Sequence, residues 1–273
     1  CFVILQIYSI APDFTNRERC LLSAVIVRLF CRSGLSLPAM AQKKLLRFAQ
    51  FSSFSNTFEY PEGMRGQWHD YFKNNHPLIL ELACGRGEYT VGLARLYPER
   101  NFIGIDVKGN RMYIGAKQCQ EEKLANAAFL RTQIEKLTDY FANAEVDDIW
   151  LTFPDPQLRT SRAKKRLTHP RFLRLYQQVL KPGGSIHLKT DSPDLYRFTK
   201  RVAELYGLNI VEDSDNVYAD PLVKEELKIK THYEKLDIAQ SNRIHYLRFT
   251  LPAEIRNIDQ ELQEILKYEE QLD

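Results

Sequence analysis

A glycine-rich turn flanked by acids is the first feature of this sequence that could do chemistry. The segment Leu80-Glu81-Leu82-Ala83-Cys84-Gly85-Arg86-Gly87-Glu88 follows an apolar run and precedes a stretch with helical periodicity. Because glycine has no Cβ, the backbone at Gly85 and Gly87 can approach a ligand closely. The turn therefore predicts a ligand site at the end of a strand.

Three interpretations of this turn are open. A dinucleotide site needs G-x-G-x-x-G, but Ala83 takes the first glycine position and no third glycine follows at the required spacing. Glu81 and Glu88 would also repel a pyrophosphate. An acidic strand end suits S-adenosylmethionine, which carries an ammonium and a sulfonium group. The motif favours this methyl donor over a dinucleotide, and a purely structural turn is the third interpretation.

A second acid ends the next predicted strand. Phe102-Ile103-Gly104-Ile105-Asp106 places a carboxylate about twenty residues after the glycine turn, where it can accept hydrogen bonds from both ribose hydroxyls of a nucleoside. Because Gly109 and Arg111 follow closely, Asp106 could instead cap a helix. The ribose interpretation supports a nucleoside ligand without choosing between the two cofactors.

A carboxylate between two prolines follows a later apolar run. In Pro154-Asp155-Pro156 the prolines restrict the neighbouring backbone, which would fix the direction of the Asp155 side chain. Such a carboxylate can accept from N1–H and the exocyclic amine of guanine together. The alternative is an ordinary turn aspartate.

The residues after this turn carry charge of one sign. Residues 156–190 contain no acid and nine Lys or Arg residues. The first seven of these form a basic loop that would neutralise and orient an RNA backbone without reading its sequence, although a solvated basic face is the alternative. They are Arg159, Arg162, Lys164, Lys165, Arg166, Arg171 and Arg174. The candidates for phosphate binding are Arg162, Lys164, Lys165 and Arg166, and Arg159 begins the same loop.

Two further polar groups lie next to later elements. Asp191 ends a predicted strand and could either cap the following helix or face the substrate. Thr231 and Glu234 precede the last strand, and their spacing is that of a capping box. The residues alone favour the cap.

A parallel sheet is the scaffold that would bring these groups to one edge. From Gly63 the chain alternates short apolar runs with helical periodicity, which predicts an α/β fold with helices on both faces and ligands at the carboxyl ends of the strands. Pro182-Gly183-Gly184 predicts a turn, and Thr168 a cap before Pro170. The predicted strands are 78–84, 102–105, 127–130, 148–153, 185–189 and 244–251, and the predicted helices are 88–97, 111–124, 172–180 and 195–206.

Charge and cysteine content restrict the class of protein. The 273 residues carry a net charge of +3, but residues 254–273 carry −5, which leaves +8 on residues 1–253. This asymmetry favours an anionic partner. The five cysteines show neither metal spacing nor a CxxC pair, which predicts a reducing cytoplasm and no metal site.

In their order along the chain, the motifs resemble those of the bacterial tRNA (guanine-N7-)-methyltransferases over about residues 40 to 252. The resemblance depends on 81–88, 102–106, 152–156 with the basic loop, 188–191 and 231–234. The order of the last three is specific to that family. The resemblance implies a Rossmann-like class I methyltransferase fold with a mostly parallel seven-stranded sheet. It also implies methyl transfer from S-adenosylmethionine to N7 of guanosine 46 in tRNA.

Residue roles carry over from this resemblance by position. Glu81, Asp106 and Asp155 match the family's donor-binding acids. The substrate-binding positions are matched by Arg159, Asp191, Thr231 and Glu234.

The chain departs from the family's pattern at three places. Another donor acid follows the third strand in the family, and here Thr132 or Gln133 would replace it as a neutral partner. Ala83 and Ser241 stand where glycine is usual. Ala83 is tolerable if its backbone avoids positive φ.

Methylation at N7 needs positioning more than proton transfer. N7 of guanine carries a lone pair and no proton, so no general base is required, and we choose Asp155 as the residue that stabilises the positive purine. The alternatives are another class I RNA or small-molecule methyltransferase, a dinucleotide oxidoreductase, or a non-catalytic RNA-binding module. Gln157 after Pro156 argues against a methyltransferase acting on an exocyclic amine, where an aromatic residue is usual. A monomer and a homodimer are both open.

Composition and resemblance predict four segments. The two apolar runs within residues 1–39 are shorter than the ~18 residues of a membrane span, and Met40 is the first methionine, so we expect a non-native or disordered leader. A weak membrane anchor is the alternative. Residues 40–62 are a basic, aromatic arm that could lie on RNA or pack on the domain edge. The catalytic domain is 63–252, and 253–273 is an acidic helical tail.

Overall fold

A computed structural model describes residues 46–232, 234 and 243–272. Within these residues one sheet contains eight strands. They are β1 (Thr57–Glu59), β2 (Leu78–Leu82), β3 (Asn101–Asp106), β4 (Ala127–Arg131), β5 (Val146–Thr152), β6 (Leu180–Thr190), β7 (Asn209–Ser214) and β8 (His245–Thr250). Their order is β1-β4-β3-β2-β5-β6-β8-β7, and β8 runs antiparallel to both of its neighbours while the other pairs are parallel.

Helices cover both faces of this sheet, as the alternating pattern predicts. They are α1 (Trp68–Phe72), α2 (Glu88–Leu96), α3 (Gly109–Glu121), α4 (Leu137–Tyr140), α5 (Pro170–Val179), α6 (Pro193–Tyr206), α7 (Glu225–Lys228) and α8 (Asp259–Leu272). Tyr176 of α5 and Val202 of α6 belong to one buried apolar cluster, while Val91 of α2 and Met112 of α3 belong to the other. The α/β fold with a mostly parallel sheet is therefore confirmed.

The sheet has one strand more than the seven expected. β7 supplies the seventh strand, and β1 pairs with β4 as an eighth. Both lie at an edge of the sheet, and neither has a fully buried residue. An edge strand without a buried face leaves no apolar alternation in the sequence, which is why neither strand was predicted.

Two local predictions were wrong. The Pro182-Gly183-Gly184 turn lies inside β6 as an irregularity, where pairing with β5 jumps from Leu180 to Ser185. The cap of α5 is His169, whose Nδ1 accepts from the backbone N–H of Arg171 at 3.2 Å. Thr168 instead shares a hydrogen bond with another threonine hydroxyl within the core.

The described parts of the two terminal segments pack on the domain. In the arm, Phe51 is fully buried and Phe54 stacks on Tyr113, which favours packing over free exposure to RNA for these residues. In the tail, Leu262 of α8 is buried in the core. Residues 1–39, the arm lysines Lys43 and Lys44, and Ser241 lie outside the described residues. None of the described helices is long and apolar enough to cross a bilayer.

Candidate active site

Glu81 joins three elements at the carboxyl edge of the sheet. Its buried carboxylate accepts from the backbone N–H of Thr90 at 2.8 Å and from the hydroxyl of Thr152 at 2.6 Å, and the Thr90 hydroxyl donates to it as well. Glu81 ends β2 with Leu82, Thr90 lies in the first turn of α2, and Thr152 ends β5. Glu81 therefore braces the glycine turn against the strand that leads to Asp155.

Burial also changes the titration of Glu81. Loss of solvent raises the pKa of this carboxyl from 4.5 to about 7, although the hydrogen bonds from Thr152 and Thr90 oppose the shift. Near neutral pH the group is poised between its two protonation states. A cation at this edge of the sheet would favour the ionised form.

This shift predicts a pH dependence of stability. Between pH 4.5 and about 7 the folded chain holds the Glu81 proton more tightly than the unfolded chain does, so the free energy of unfolding falls as pH rises through this window. The side chain of Glu81→Gln cannot titrate. Between about pH 5 and pH 8, which brackets this pKa, we therefore expect the melting temperature of the variant to fall less than that of the wild type. Thermal melts across that range measure the difference. Exposed Glu62→Gln is the control, and parallel curves for all three proteins would contradict the assignment.

Asp106 holds the glycine turn from the neighbouring strand. One carboxylate oxygen accepts from the backbone N–H of Gly85 at 3.0 Å, and the other accepts from that of Lys108 at 2.8 Å. Gly87 has a φ of 73°, and a Cβ there would lie 2.3 Å from the ring of Phe129. The cap of α3 is Lys108, so Asp106 does not occupy the cap position that was its alternative.

Ala83 differs from what the sequence led us to expect. Its φ is 57°, in the left-handed region that costs a residue with a Cβ roughly 1–2 kcal/mol. The amide of the next residue, Cys84, donates to the carbonyl of Ile105 at 3.0 Å, and this bond helps to hold the turn. The usual glycine would fit this position without that strain, and here the surrounding structure maintains it.

A cavity of about 410 Å³ lies beside this turn. Thr132 is fully buried, and its hydroxyl has no hydrogen-bond partner among the described residues. An unpaired buried hydroxyl is costly, so a polar ligand group is a fitting partner. Asp106 lines the same cavity, so a nucleoside bound there could donate its ribose hydroxyls to this carboxylate. It is lined by Ala83, Asp106, Val107, Thr132, Gln133, Ile134, Glu135, Lys165, Leu167, Arg171 and Phe172.

The turn that carries Asp155 is strained on both sides. Phe153 has a φ of 47° and Gln157 a φ of 46°, which are unusual values for residues with a Cβ. Asp155 is exposed, and its Oδ1 accepts from the backbone N–H of Gln157 at 3.0 Å. The carboxylate is therefore held by a local bond and is accessible from solvent, in the turn that follows β5.

Arg166 does not have the role expected of it. Its side chain is only 5% exposed, and its guanidinium donates to the carbonyls of Pro156, Gln157 and Leu158 at 3.1–3.2 Å. It also lies 4.4 Å from the centroid of the Phe198 ring. Because its N–H groups are directed at the loop backbone, Arg166 is a brace for the Asp155 turn and not a phosphate contact. The exposed cations of the loop are Arg159, Arg162, Lys164 and Lys165.

The remaining site residues are Asp191, after β6, and the pair Thr231 and Glu234. Ser192 caps α6 by accepting from Leu195, so Asp191 is not the cap. Thr231 accepts from the backbone N–H of Glu234 at 3.2 Å, which is half of the capping box. The Glu234 carboxylate forms the other contacts: it accepts from Lys189 Nζ at 3.0 Å and from the Tyr218 hydroxyl.

A hydrogen bond joins the segment that contains Thr231 and Glu234 to the start of α2, next to the glycine turn. The carboxylate of Glu88, at the start of α2, accepts from the backbone N–H of His232 at 2.7 Å. The groups assigned to donor and substrate therefore converge on one edge of the sheet. Across residues 46–232, 234 and 243–272, no group of three or more His, Cys, Asp or Glu side chains could hold a metal ion.

Comparison with known proteins agrees with this arrangement. A family model described as "Putative methyltransferase" matches residues 75–247. The tRNA (guanine-N(7)-)-methyltransferase of Porphyromonas gingivalis is 50% identical over 211 residues, which cover 73% of this chain and 86% of that protein. The protein of the same name from Bacteroides thetaiotaomicron is 45% identical over 224 residues, or 79% of this chain and 88% of that protein. The chain belongs to the tRNA (guanine-N(7)-)-methyltransferase family.

Solved structures share the fold. A 30S ribosomal A1408 methyltransferase from an uncultured bacterium superposes with a TM-score of 0.52 and 18% identity, covering 70% of this chain and 96% of that one. The 16S rRNA methyltransferase KamB gives a TM-score of 0.52 and 16% identity, covering 68% and 94%. At these identities the likeness concerns the fold alone.

The sequence did not predict all of the residues that line the cavity. Leu167 and Phe172 line the cavity together with Glu135, whose carboxylate lies 3.3 Å from the guanidinium of Arg171 of the basic loop. No motif marks Leu167, Phe172 or Glu135, and Phe172 is an ordinary apolar position of α5 in the sequence pattern. Their place depends on how the loop folds back across the sheet edge.

Proposed function

We propose that this chain transfers the methyl group of S-adenosylmethionine to N7 of a guanine in tRNA. The observation that carries the proposal is the convergence of the nucleoside cavity, the Asp155 turn and the Thr231–Glu234 contact at one sheet edge, in a member of this family. By resemblance, the target is guanosine 46. We place the activity in the cytoplasm, and the described cysteines Cys84 and Cys119, both free thiols, are compatible with a reducing compartment.

The chain's residues fit the methyl donor. Asp106 would accept from the ribose hydroxyls, and Thr132 and Gln133, which line the same cavity, would replace the acid that the family has there. Glu81 supplies negative charge beneath the glycine turn. When bound, S-adenosylmethionine supplies an electrophilic methyl group on a sulfonium.

Asp155 is the residue we assign to the reacting base. Its carboxylate would hold the Watson–Crick edge of guanine and stabilise the positive charge that develops on the purine. Asp191, Thr231 and Glu234 would contact the same base from the β6 side, and Arg159 the adjoining backbone. Since N7 needs no deprotonation, these residues act by orienting the base and by electrostatics.

The loop lysines are expected to contribute salt-dependent tRNA affinity. Changing Lys164 and Lys165 to Gln together should weaken tRNA binding and reduce the slope of log K against log salt by up to about 2, because each lost phosphate contact removes roughly one released counterion. Binding titrations between about 50 and 300 mM salt, where the dependence is roughly linear, measure this slope. The matched control changes exposed Lys117 and Lys123 of the opposite face. An unchanged slope would exclude the loop from the RNA interface.

One experiment separates the proposed reaction from its alternatives. Radiolabelled methyl transfer to an unmodified tRNA transcript, followed by nucleoside analysis, should yield 7-methylguanosine. A transcript with 7-deazaguanosine at position 46 lacks the nucleophile and should accept no label there. Label in another nucleoside would indicate a different methyltransferase, and tRNA binding without label would indicate a non-catalytic module.

A further inference from the structure

Lys189 is a buried cation that none of the roles above includes. It lies near the end of β6, two residues before Asp191, and its side chain is fully buried. Lysine is almost never fully buried unless it is paired. The partners of Lys189 therefore indicate what its burial achieves.

The ammonium group of Lys189 binds one particular segment of the chain. It donates to the carbonyls of Leu227 at 2.8 Å and Ile229 at 2.9 Å, and to the Glu234 carboxylate at 3.0 Å. An ammonium has three protons to donate, and these three oxygens are its closest acceptors, with the Tyr218 hydroxyl farther away at 3.4 Å. Lys189 therefore holds residues 227–232 and Glu234, here called the docked segment, against the end of β6.

Lys189 also contacts the turn that carries Asp155. Its ammonium lies 5.5 Å from the centroid of the Phe153 ring, and its backbone carbonyl accepts from the N–H of Phe153 at 2.8 Å. Phe153 is the strained residue that begins this turn. One side chain therefore lies between the Asp155 turn and the docked segment.

The direction of the Glu234 carboxylate depends on this cation. The carboxylate side chain is 5% exposed, and besides Lys189 it is bound by the Tyr218 hydroxyl. Removing the ammonium would leave a buried carboxylate with a neutral partner, which is strongly unfavourable. The carboxylate would then reorient toward water, and the docked segment would lose its attachment to β6.

We propose that Lys189 is a positioning residue for the tRNA base, acting through Glu234. It sets the placement of the Glu234 carboxylate relative to the Asp155 turn, so that both face one guanine. This inference rests on the proposed function. If Lys189 only stabilised the core, its removal would lower the free energy of unfolding but would show no coupling to Glu234 in turnover.

A double-mutant cycle in the full chain separates these roles. Lys189→Met and Glu234→Gln should each lower kcat/KM for tRNA by about 30-fold. The kcat/KM of the double variant should lie within about 3-fold of that of the less active single variant. The Kd for S-adenosylmethionine, measured by calorimetry, should change by less than about 3-fold, since the donor cavity is untouched. Losses that multiply in the double variant would overturn the proposal, as would a loss confined to donor binding.

A matched control accounts for lost stability. Arg248→Met breaks the partly buried ion pair with Glu212 of β7, among residues that have no assigned role in donor or tRNA binding, and should lower the melting temperature while leaving kcat/KM within about 3-fold of wild type. If Lys189→Met does not fold, Lys189→Arg enters the same cycle and is judged by the same criterion. Formation of 7-methylguanosine by the wild type reports on the proposed function separately, so failure of the cycle leaves that result intact.

Discussion

Asp155→Asn should lower kcat for methyl transfer to tRNA by about 100-fold or more, because a preorganised group of this kind contributes ~3 kcal/mol to transition-state stabilisation. The amide keeps an oxygen that can accept from Gln157, so the turn itself should persist. What is lost is the negative charge beside the positive purine. Donor binding should also weaken, since the same carboxylate matches a donor-binding position of the family. Single-turnover methylation at saturating tRNA measures the chemical effect apart from binding.

The control for Asp155 is an aspartate at the opposite edge of the sheet. Asp70 is exposed in α1, and Asn74, just after this helix, contacts Asn101 at the start of β3. Asp70→Asn changes the same charge far from the site and should leave turnover unchanged. Near wild-type turnover for Asp155→Asn would refute its assignment to the reacting base.

Arg166→Lys should be severe although it preserves charge. A lysine ammonium is a point donor and cannot span the three carbonyls that the planar guanidinium reaches at once. A carbonyl left unpaired in a fully buried site costs about 1–3 kcal/mol, and these three are only partly buried, so we expect a total loss of roughly 1–3 kcal/mol in the free energy of unfolding. We also expect kcat/KM for tRNA to fall, because the loosened backbone is the one that carries Asp155.

Urea unfolding and steady-state kinetics with tRNA measure the two effects of Arg166→Lys. Arg162→Lys is the matched control, since Arg162 lies in the same loop but is exposed. It should change stability little and affect only RNA affinity. If the two variants behave alike, Arg166 is not the brace that its contacts indicate.

The contrast between Lys165 and Arg166 illustrates what a sequence pattern leaves undecided. Both are cations in one acid-free run, and both read as phosphate ligands. In the structure Lys165 is exposed and lines the cavity beside the glycine turn, while Arg166 is buried against the carbonyls of its own loop. A run of like charges specifies the sign of the surface, but which member turns inward depends on where the backbone carbonyls lie.

The edge strands and the long-range contacts could not be predicted from the sequence for a related reason. The central strands are buried on both faces and therefore read as apolar runs, whereas β1 and β7 are partly exposed and leave no such pattern. The contact between Lys189 and Glu234 joins positions 45 residues apart. No local periodicity records a pairing of that kind.

The sequence by itself determined the fold class and the family, and it predicted the edge of the sheet at which a ligand would bind. These follow from local features: apolar runs mark the central strands, and Glu81, Asp106, Asp155 and Asp191 lie at or just after strand ends, which a parallel sheet must bring together. Tertiary structure alone decided which polar groups are braces and which are open to ligands. Glu81 and Arg166 are buried and hydrogen-bonded to the chain, while Asp155 is exposed. That distinction depends on burial and on partners distant in sequence, and residue type and spacing do not encode it.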